Sequence, residues 1–120
     1  MKNVMIRVAG IAGFLAVTLG AFGAHGLEDV LMELGTKEIW QTATLYHLIH
    51  TVVLLLIATM MPSRRICFWC FLAGILIFSG SLYILSTSGI KWLGAITPIG
   101  GLLFLAGWSF LILGKTQDSS

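Results

Sequence analysis

Charge is what this sequence has least of. Of its 120 residues, 10% are charged and 58% hydrophobic, whereas an ordinary soluble domain is about 25% charged. The mean hydropathy is +0.98, so a water-soluble fold would have nothing with which to cover itself. No Asp, Glu, Lys or Arg sits deep inside a long apolar run, which disfavours a proton- or sodium-coupled transporter built on an intramembrane carboxylate. No run shows the two-residue alternation of a membrane barrel strand. There is no phosphate loop, nucleophile elbow, HExxH motif or nucleic-acid signature. Nor is there a convincing internal repeat, and the length leaves no room for a soluble catalytic domain.

What the sequence does contain is four uncharged runs, Val8–Leu27, Ile39–Ser63, Ile66–Ile90 and Trp92–Gly114. Each is close to the roughly 20 apolar residues that span a hydrocarbon core as helix. Helix is required because lipid offers no partner to backbone N–H and C=O groups. The expected fold is therefore all-α and integral to the membrane: an antiparallel four-helix transmembrane bundle in one domain, residues 1–120, with spans at 4–26, 39–61, 66–87 and 92–114. Short connections at 61–65 and 88–91 make consecutive spans antiparallel neighbours. A rival reading of the first run as a signal peptide, with Lys2 and Arg7 before it and Ala21-Phe22-Gly23 as a cleavage site, is disfavoured. A second long run begins at Ile39 with no soluble domain between.

Lys2, Arg7, Arg64, Arg65 and Lys115 flank the spans on one side, and Lys37 and Lys91 on the other. The positive-inside rule then places both termini in the cytoplasm. In the first connection, 27–38, Leu27, Val30, Leu31 and Leu34 follow a helical stripe while Glu28, Asp29 and Glu33 point elsewhere. This predicts a short amphipathic helix on the outer surface, with Gly35 as its C-terminal cap and Thr36 capping the second span. Trp40 and Trp92 fall at outer span ends, and Trp69 and Trp108 towards the inner side.

In this topology the polar residues collect in the outer leaflet: His25, then Gln41, Thr42, Thr44, Tyr46, His47, His50 and Thr51, then Ser79, Ser81, Tyr83, Ser86, Thr87 and Ser88, then Thr97-Pro98. Polar side chains in a bilayer face the bundle interior unless they reach water, so an outward-opening polar pocket is expected. Small residues, among them Gly20, Gly23, Gly74, Gly80, Gly100, Gly101 and Gly107, are read as places where helix backbones approach closely. Pro98, inside the fourth run, predicts a kink that frees carbonyls near Gly94 or Ala95.

His47 and His50 stand at i, i+3 with Tyr46 beside them, and His25 closes a candidate three-imidazole cluster from the neighbouring span. Such a cluster suits zinc, copper or haem iron, but no Cys or carboxylate shares its layer and the spacing fixes no metal. Hydrogen-bonded structural histidines are favoured over metal or haem ligands, with proton handling third. Cys67-Phe68-Trp69-Cys70 has redox spacing, yet it opens a transmembrane helix on the reducing side and lacks a strand–turn–helix context. Two apolar-face cysteines is the better reading.

Gly20-Ala21-Phe22-Gly23-Ala24-His25-Gly26-Leu27, Thr42-Ala43-Thr44-Leu45-Tyr46-His47-Leu48-Ile49-His50, Gly80-Ser81-Leu82-Tyr83 and Trp92-Leu93-Gly94-Ala95-Ile96-Thr97-Pro98-Ile99-Gly100-Gly101 together resemble the Domain of Unknown Function 423 family. These are small bacterial inner-membrane proteins, themselves similar to a small eukaryotic transmembrane protein. The resemblance implies a four-span fold in the cytoplasmic (inner) membrane and assigns no catalytic residue or cofactor. Its matching residues His25, Tyr46, His47, His50, Ser81, Tyr83, Thr97 and Pro98 are those already placed in the polar layer; Cys67 and Cys70 are outside its pattern.

The leading expectation is a non-enzymatic membrane protein whose polar pocket, lined by those eight residues, binds a small ligand, a lipid or a partner helix. Membrane lipid is the expected surrounding, nucleic acid is not a partner, no cofactor is expected, and an oligomer is compatible with the small-residue faces. The alternatives are a metal- or haem-dependent membrane enzyme using His25, His47 and His50, and an assembly subunit of a membrane complex.

Overall fold

A computed structural model describes residues 1–114; Lys115, one of the five flanking basic residues, and the polar tail lie outside the described residues. Helix α1 runs Lys2–Ala24, the short α2 Glu28–Leu34 and α3 Lys37–Met60. Then come α4 (Arg65–Gly74), a π-helical turn (Ile75–Ser79) and α5 (Gly80–Ser88), which together form one continuous rod. A 3₁₀ turn (Lys91–Ala95) leads into α6 (Thr97–Leu113). No strand occurs among the described residues. Four stretches are long and apolar enough to cross a membrane: Lys2–Gly23, Lys37–Met60, Arg65–Ser88 and Lys91–Leu113.

Helix α1 packs along α3, and α6 along α4 and the π turn, while α3 also touches α4, the π turn and α5. The first and third spans thus run parallel to each other with α3 behind them. The end carrying Met1 and the 61–64 loop is the terminal end below, and the end carrying α2 is the connector end. Near the terminal end the core is fully apolar, with Met5, Ala9, Leu54, Ile57, Phe68, Phe71 and Phe104 packed together. The outer surface is apolar too: Phe14 is 71% exposed, Leu102 66% and Ile112 80%. In water such a surface would be an aggregation hazard; against hydrocarbon it is the expected one.

Three local expectations are met differently. Gly35 does end α2, with φ 69°, and the Thr36 amide reaches back to the Leu31 carbonyl at 2.9 Å, a Schellman-type end. Thr36 is the residue before α3, yet its hydroxyl makes no cap; it donates instead to the Ser86 carbonyl at 2.6 Å. The hydroxyl thereby ties two spans together at the end of α5. Pro98 is no mid-span kink, because it sits in the first turn of α6 after the 3₁₀ turn. There a missing N–H costs nothing.

The π turn was not expected. It carries Ser79, whose buried hydroxyl donates to the Ala43 carbonyl on α3 at 2.8 Å. Directly behind it, α6 crosses on glycine: a Cβ on Gly100 would lie 2.7 Å from the Phe78 Cα and closer still to its nitrogen. One on Gly107 would lie 2.8 Å from the Phe71 ring. Here small residues do what small residues do in membranes, letting backbones meet.

Candidate functional site

His47 and His50, one turn apart on α3, are both buried. The offset of 3 residues turns them about 60° from each other, and that is enough to send them to different neighbours. His47 Nδ1 lies 2.8 Å from the Tyr83 hydroxyl on α5, and the Ala12 carbonyl of α1 meets the same ring. A ring that donates from one nitrogen to Ala12 and accepts at the other from Tyr83 satisfies every group involved. His47 therefore stitches α1 to α5 through α3.

His50 points the other way. Its Nδ1 donates to the Tyr46 carbonyl at 2.8 Å, and its Nε2 accepts from the Trp108 indole N–H at 3.2 Å. Its ring stacks on Phe104 with centroids 3.8 Å apart and planes 9° from parallel. Tyr46, Phe78 and Phe71 complete the aromatic group. Both ring nitrogens have protein partners, so no lone pair is left to a metal.

Of the eight residues expected to share one outward-opening polar pocket, His47 and Tyr83 come together at one cleft, and the others meet different neighbours. His25 is exposed in the turn after α1, about ten residues of helical rise, some 15 Å, beyond the level of His47. It does not close a cluster. Among the described residues, no group of three His, Cys, Asp or Glu is placed to hold a metal ion. Ser81 and Thr97 pair with each other at 2.6 Å, and Pro98 is exposed at the start of α6. The hydroxyls of Thr44, Thr51, Ser79, Ser86, Thr87 and Ser88 bond to helix carbonyls, as Thr51 does to His47 at 2.7 Å and Ser86 to Leu82 at 2.7 Å. The polar residues of this half are glue between and along helices. Cys67 and Cys70 are free thiols, with Cys67 in the apolar core.

The space lies elsewhere. Between the parallel first and third spans is a partly open cleft of about 240 Å³, three of whose lining residues, Ile11, Leu15 and Leu76, are exposed on the apolar surface of the bundle. Its walls are aliphatic, Val8, Ile11, Leu15 and Leu19 from α1 facing Leu72 and Leu76, with His47 and Tyr83 at its floor. Gly80 also lines it. This glycine has ordinary helical backbone angles, φ −58° and ψ −46°, and a Cβ built on it meets nothing within 4 Å. Neither conformation nor packing calls for glycine there, although glycine costs a helix about 1 kcal/mol relative to alanine. The missing side chain leaves the cleft open beside Tyr83.

The comparisons with known proteins bear on the whole of this architecture. The family model described as protein of unknown function (DUF423) matches residues 19–101, a stretch that carries His47, the π turn, Gly80, Tyr83 and Gly100. The chain belongs to the DUF423 family. Relatives run nearly end to end with it. A UPF0382 membrane protein of Staphylococcus epidermidis is 43% identical over 119 residues, covering 96% of this chain and 97% of that protein. The UPF0382 membrane protein YwdK of Bacillus subtilis is 41% identical over 121 residues, covering 96% and 98%. The UPF0382 inner membrane protein YgdD of Escherichia coli K12 is 43% identical over 122 residues, covering 94% and 89%. No solved structure matches the chain. The DUF423 chain described here is accordingly a multi-pass membrane protein, and its apolar exterior faces lipid.

The sequence carries no signal of the aliphatic lining of the cleft, and it groups Gly80 with the packing glycines. A Leu or Ile on a transmembrane helix carries no mark of whether it faces a cleft, a neighbour or lipid. Only the empty space around Gly80 separates it from Gly100.

Proposed function

We propose that this protein is a non-enzymatic binding protein of the cytoplasmic (inner) membrane that holds the hydrocarbon chain of a lipid in the cleft between its first and third spans. The observation that carries this is Gly80: a helical glycine with no steric or conformational need, set in the wall of an aliphatic cleft that opens to the bilayer. An empty groove facing hydrocarbon forfeits dispersion contacts on both walls, and a flexible chain restores them. His47 and Tyr83 form the floor and hold the two walls at a fixed separation. Of the eight candidate residues, these two belong to this site; Tyr46 and His50 brace the opposite side of α3.

Both termini face the cytoplasm in this proposal. Lys2, Arg7, Arg64 and Arg65 at the terminal end, against Lys37 and Lys91 at the connector end, support that orientation. A reporter fused to the C-terminus, active only in the cytoplasm, tests it.

The test of binding is Gly80→Phe. The Cβ meets nothing within 4 Å and the phenyl group beyond it is expected to fill the cleft, with unchanged thermal unfolding in detergent as the check that the bundle stays folded. In native mass spectrometry of protein purified in mild detergent, the wild type should carry retained lipid and Gly80→Phe should carry several-fold less. Equal lipid on both proteins overturns the proposal.

A further inference from the structure

The cleft has two ends, and they differ in charge. On α1 the lining residues Val8 and Ile11 are preceded by Arg7, which adjoins the first and lies one turn before the second. On the opposite wall, Leu72 and Leu76 are preceded on the same helical face by Arg65, seven residues or two turns before Leu72. Arg7 and Arg65 are both exposed. An arginine in the first turns of a span turns its guanidinium to the membrane surface, so each wall ends in a cation at the terminal end. Every carboxylate among the described residues, Glu28, Asp29, Glu33 and Glu38, is at the connector end.

Basic flanks orient membrane proteins in general, so positive charge at this end means little by itself. Its distribution around the cleft says more. Of the consecutive pair Arg64-Arg65, Arg64 turns away from the cleft and donates to the Phe110 carbonyl of α6 at 3.2 Å, where a cation at a helix C-terminus is favourable. Arg65 borders the same hollow beside Phe110 and Gly114, but its exposed side chain leaves the helix in phase with Leu72 and Leu76 of the cleft wall. Hydrocarbon space leading to a mouth with a guanidinium on either side, and with no carboxylate among the described residues of that end, fits the shape and charge of an anionic amphiphile.

We infer that the occupant is an anionic phospholipid of the leaflet at the terminal end, with one acyl chain in the cleft and its phosphate between Arg7 and Arg65. This rests on the cleft being a chain-binding site. A zwitterionic lipid brings the same chain but a headgroup whose own cation is repelled by the pair. Selectivity thus belongs to the arginines and retention to the cleft.

The experiment uses the full chain in detergent, titrated with phosphatidylglycerol or phosphatidylcholine of identical acyl chains and read by native mass spectrometry. Wild type should bind phosphatidylglycerol about thirtyfold better at low salt, given roughly 1 kcal/mol for each of the two basic residues near the lipid headgroup. Arg7→Gln/Arg65→Gln should bind the two lipids equally, Arg7→Lys/Arg65→Lys should keep the preference, and Gly80→Phe should lose both lipids. If the glutamine variant fails to insert, high salt must remove the wild-type preference, since exposed charges are screened within about 10 Å at 0.1 M. Equal binding of both lipids by wild type, with Gly80→Phe binding neither, overturns the headgroup inference and leaves the cleft reading standing. Gly80→Phe binding both lipids as wild type does overturns the cleft reading and this inference with it.

Discussion

Gly80 and Gly100 are both helical glycines in the connector half of the same bundle, and they do opposite things. Gly100 is buried where α6 crosses the π turn, so that any side chain would enter the Phe78 backbone. Gly80, two residues past Phe78, faces space. One brings two helices together and the other keeps a groove open between two helices. The presence of glycine in a membrane span is therefore ambiguous in sign: it marks a closed interface or an absent one, and the neighbours decide which.

The sharpest way to break this comparison is to give both positions the same methyl group. Gly100→Ala should destabilise the bundle by about 1–3 kcal/mol, because the obstacle is backbone and the π turn must shift as a unit. Thermal unfolding in detergent measures it; a variant as stable as wild type would mean that the crossing is loose. A second contrast, of similar kind and smaller size, sets His50 against His47. His50→Phe keeps the stacking on Phe104 but leaves the Trp108 indole N–H without its acceptor, an expected loss of about 1–2 kcal/mol. It should leave lipid retention unchanged, since His50 is not in the cleft wall. A metal-dependent role for the histidines would instead show as a change in bound metal by elemental analysis. Gly80→Ala comes next and reverses the sign, with an expected gain of about 1 kcal/mol from helix propensity. A loss there would show that the groove closes in solution and that Gly80 is a packing glycine after all.

How much of this was legible beforehand follows from what lipid does to a sequence pattern. Span positions could be read because length and lack of charge are properties of the chain alone. The cap at Gly35 could be read because left-handed backbone selects glycine locally. Which face of each span is buried could not, since in a bilayer the outward residues are as apolar as the inward ones and the helical stripe of a soluble bundle is missing. That is why the sequence groups His47 and His50 with His25, why it marks Thr36 as the cap of its own helix rather than a partner of Ser86, and why it does not separate Gly80 from Gly100. The π turn left no signal at all: Ile75-Leu76-Ile77-Phe78-Ser79 is ordinary span composition. Only pairing in space distinguishes these cases.

The π turn also supplies the smallest expected effect. It is held from one side by Gly100 against Phe78 and from the other by the Ser79 hydroxyl on the Ala43 carbonyl. These two restraints differ in kind. Steric contact with backbone has no substitute, whereas the Ala43 carbonyl also receives the amide of residue 47 within α3, so removing the hydroxyl orphans no group. Polar contacts between membrane helices are worth about 0.6 kcal/mol on average and at most about 1.7. Ser79→Ala should therefore cost well under half of what Gly100→Ala costs, with lipid retention unchanged. If thermal unfolding gave Ser79→Ala the larger loss, the hydroxyl and not the glycine crossing would be what fixes the π turn, and Gly80, next in the chain, would owe its orientation towards the cleft to that single bond.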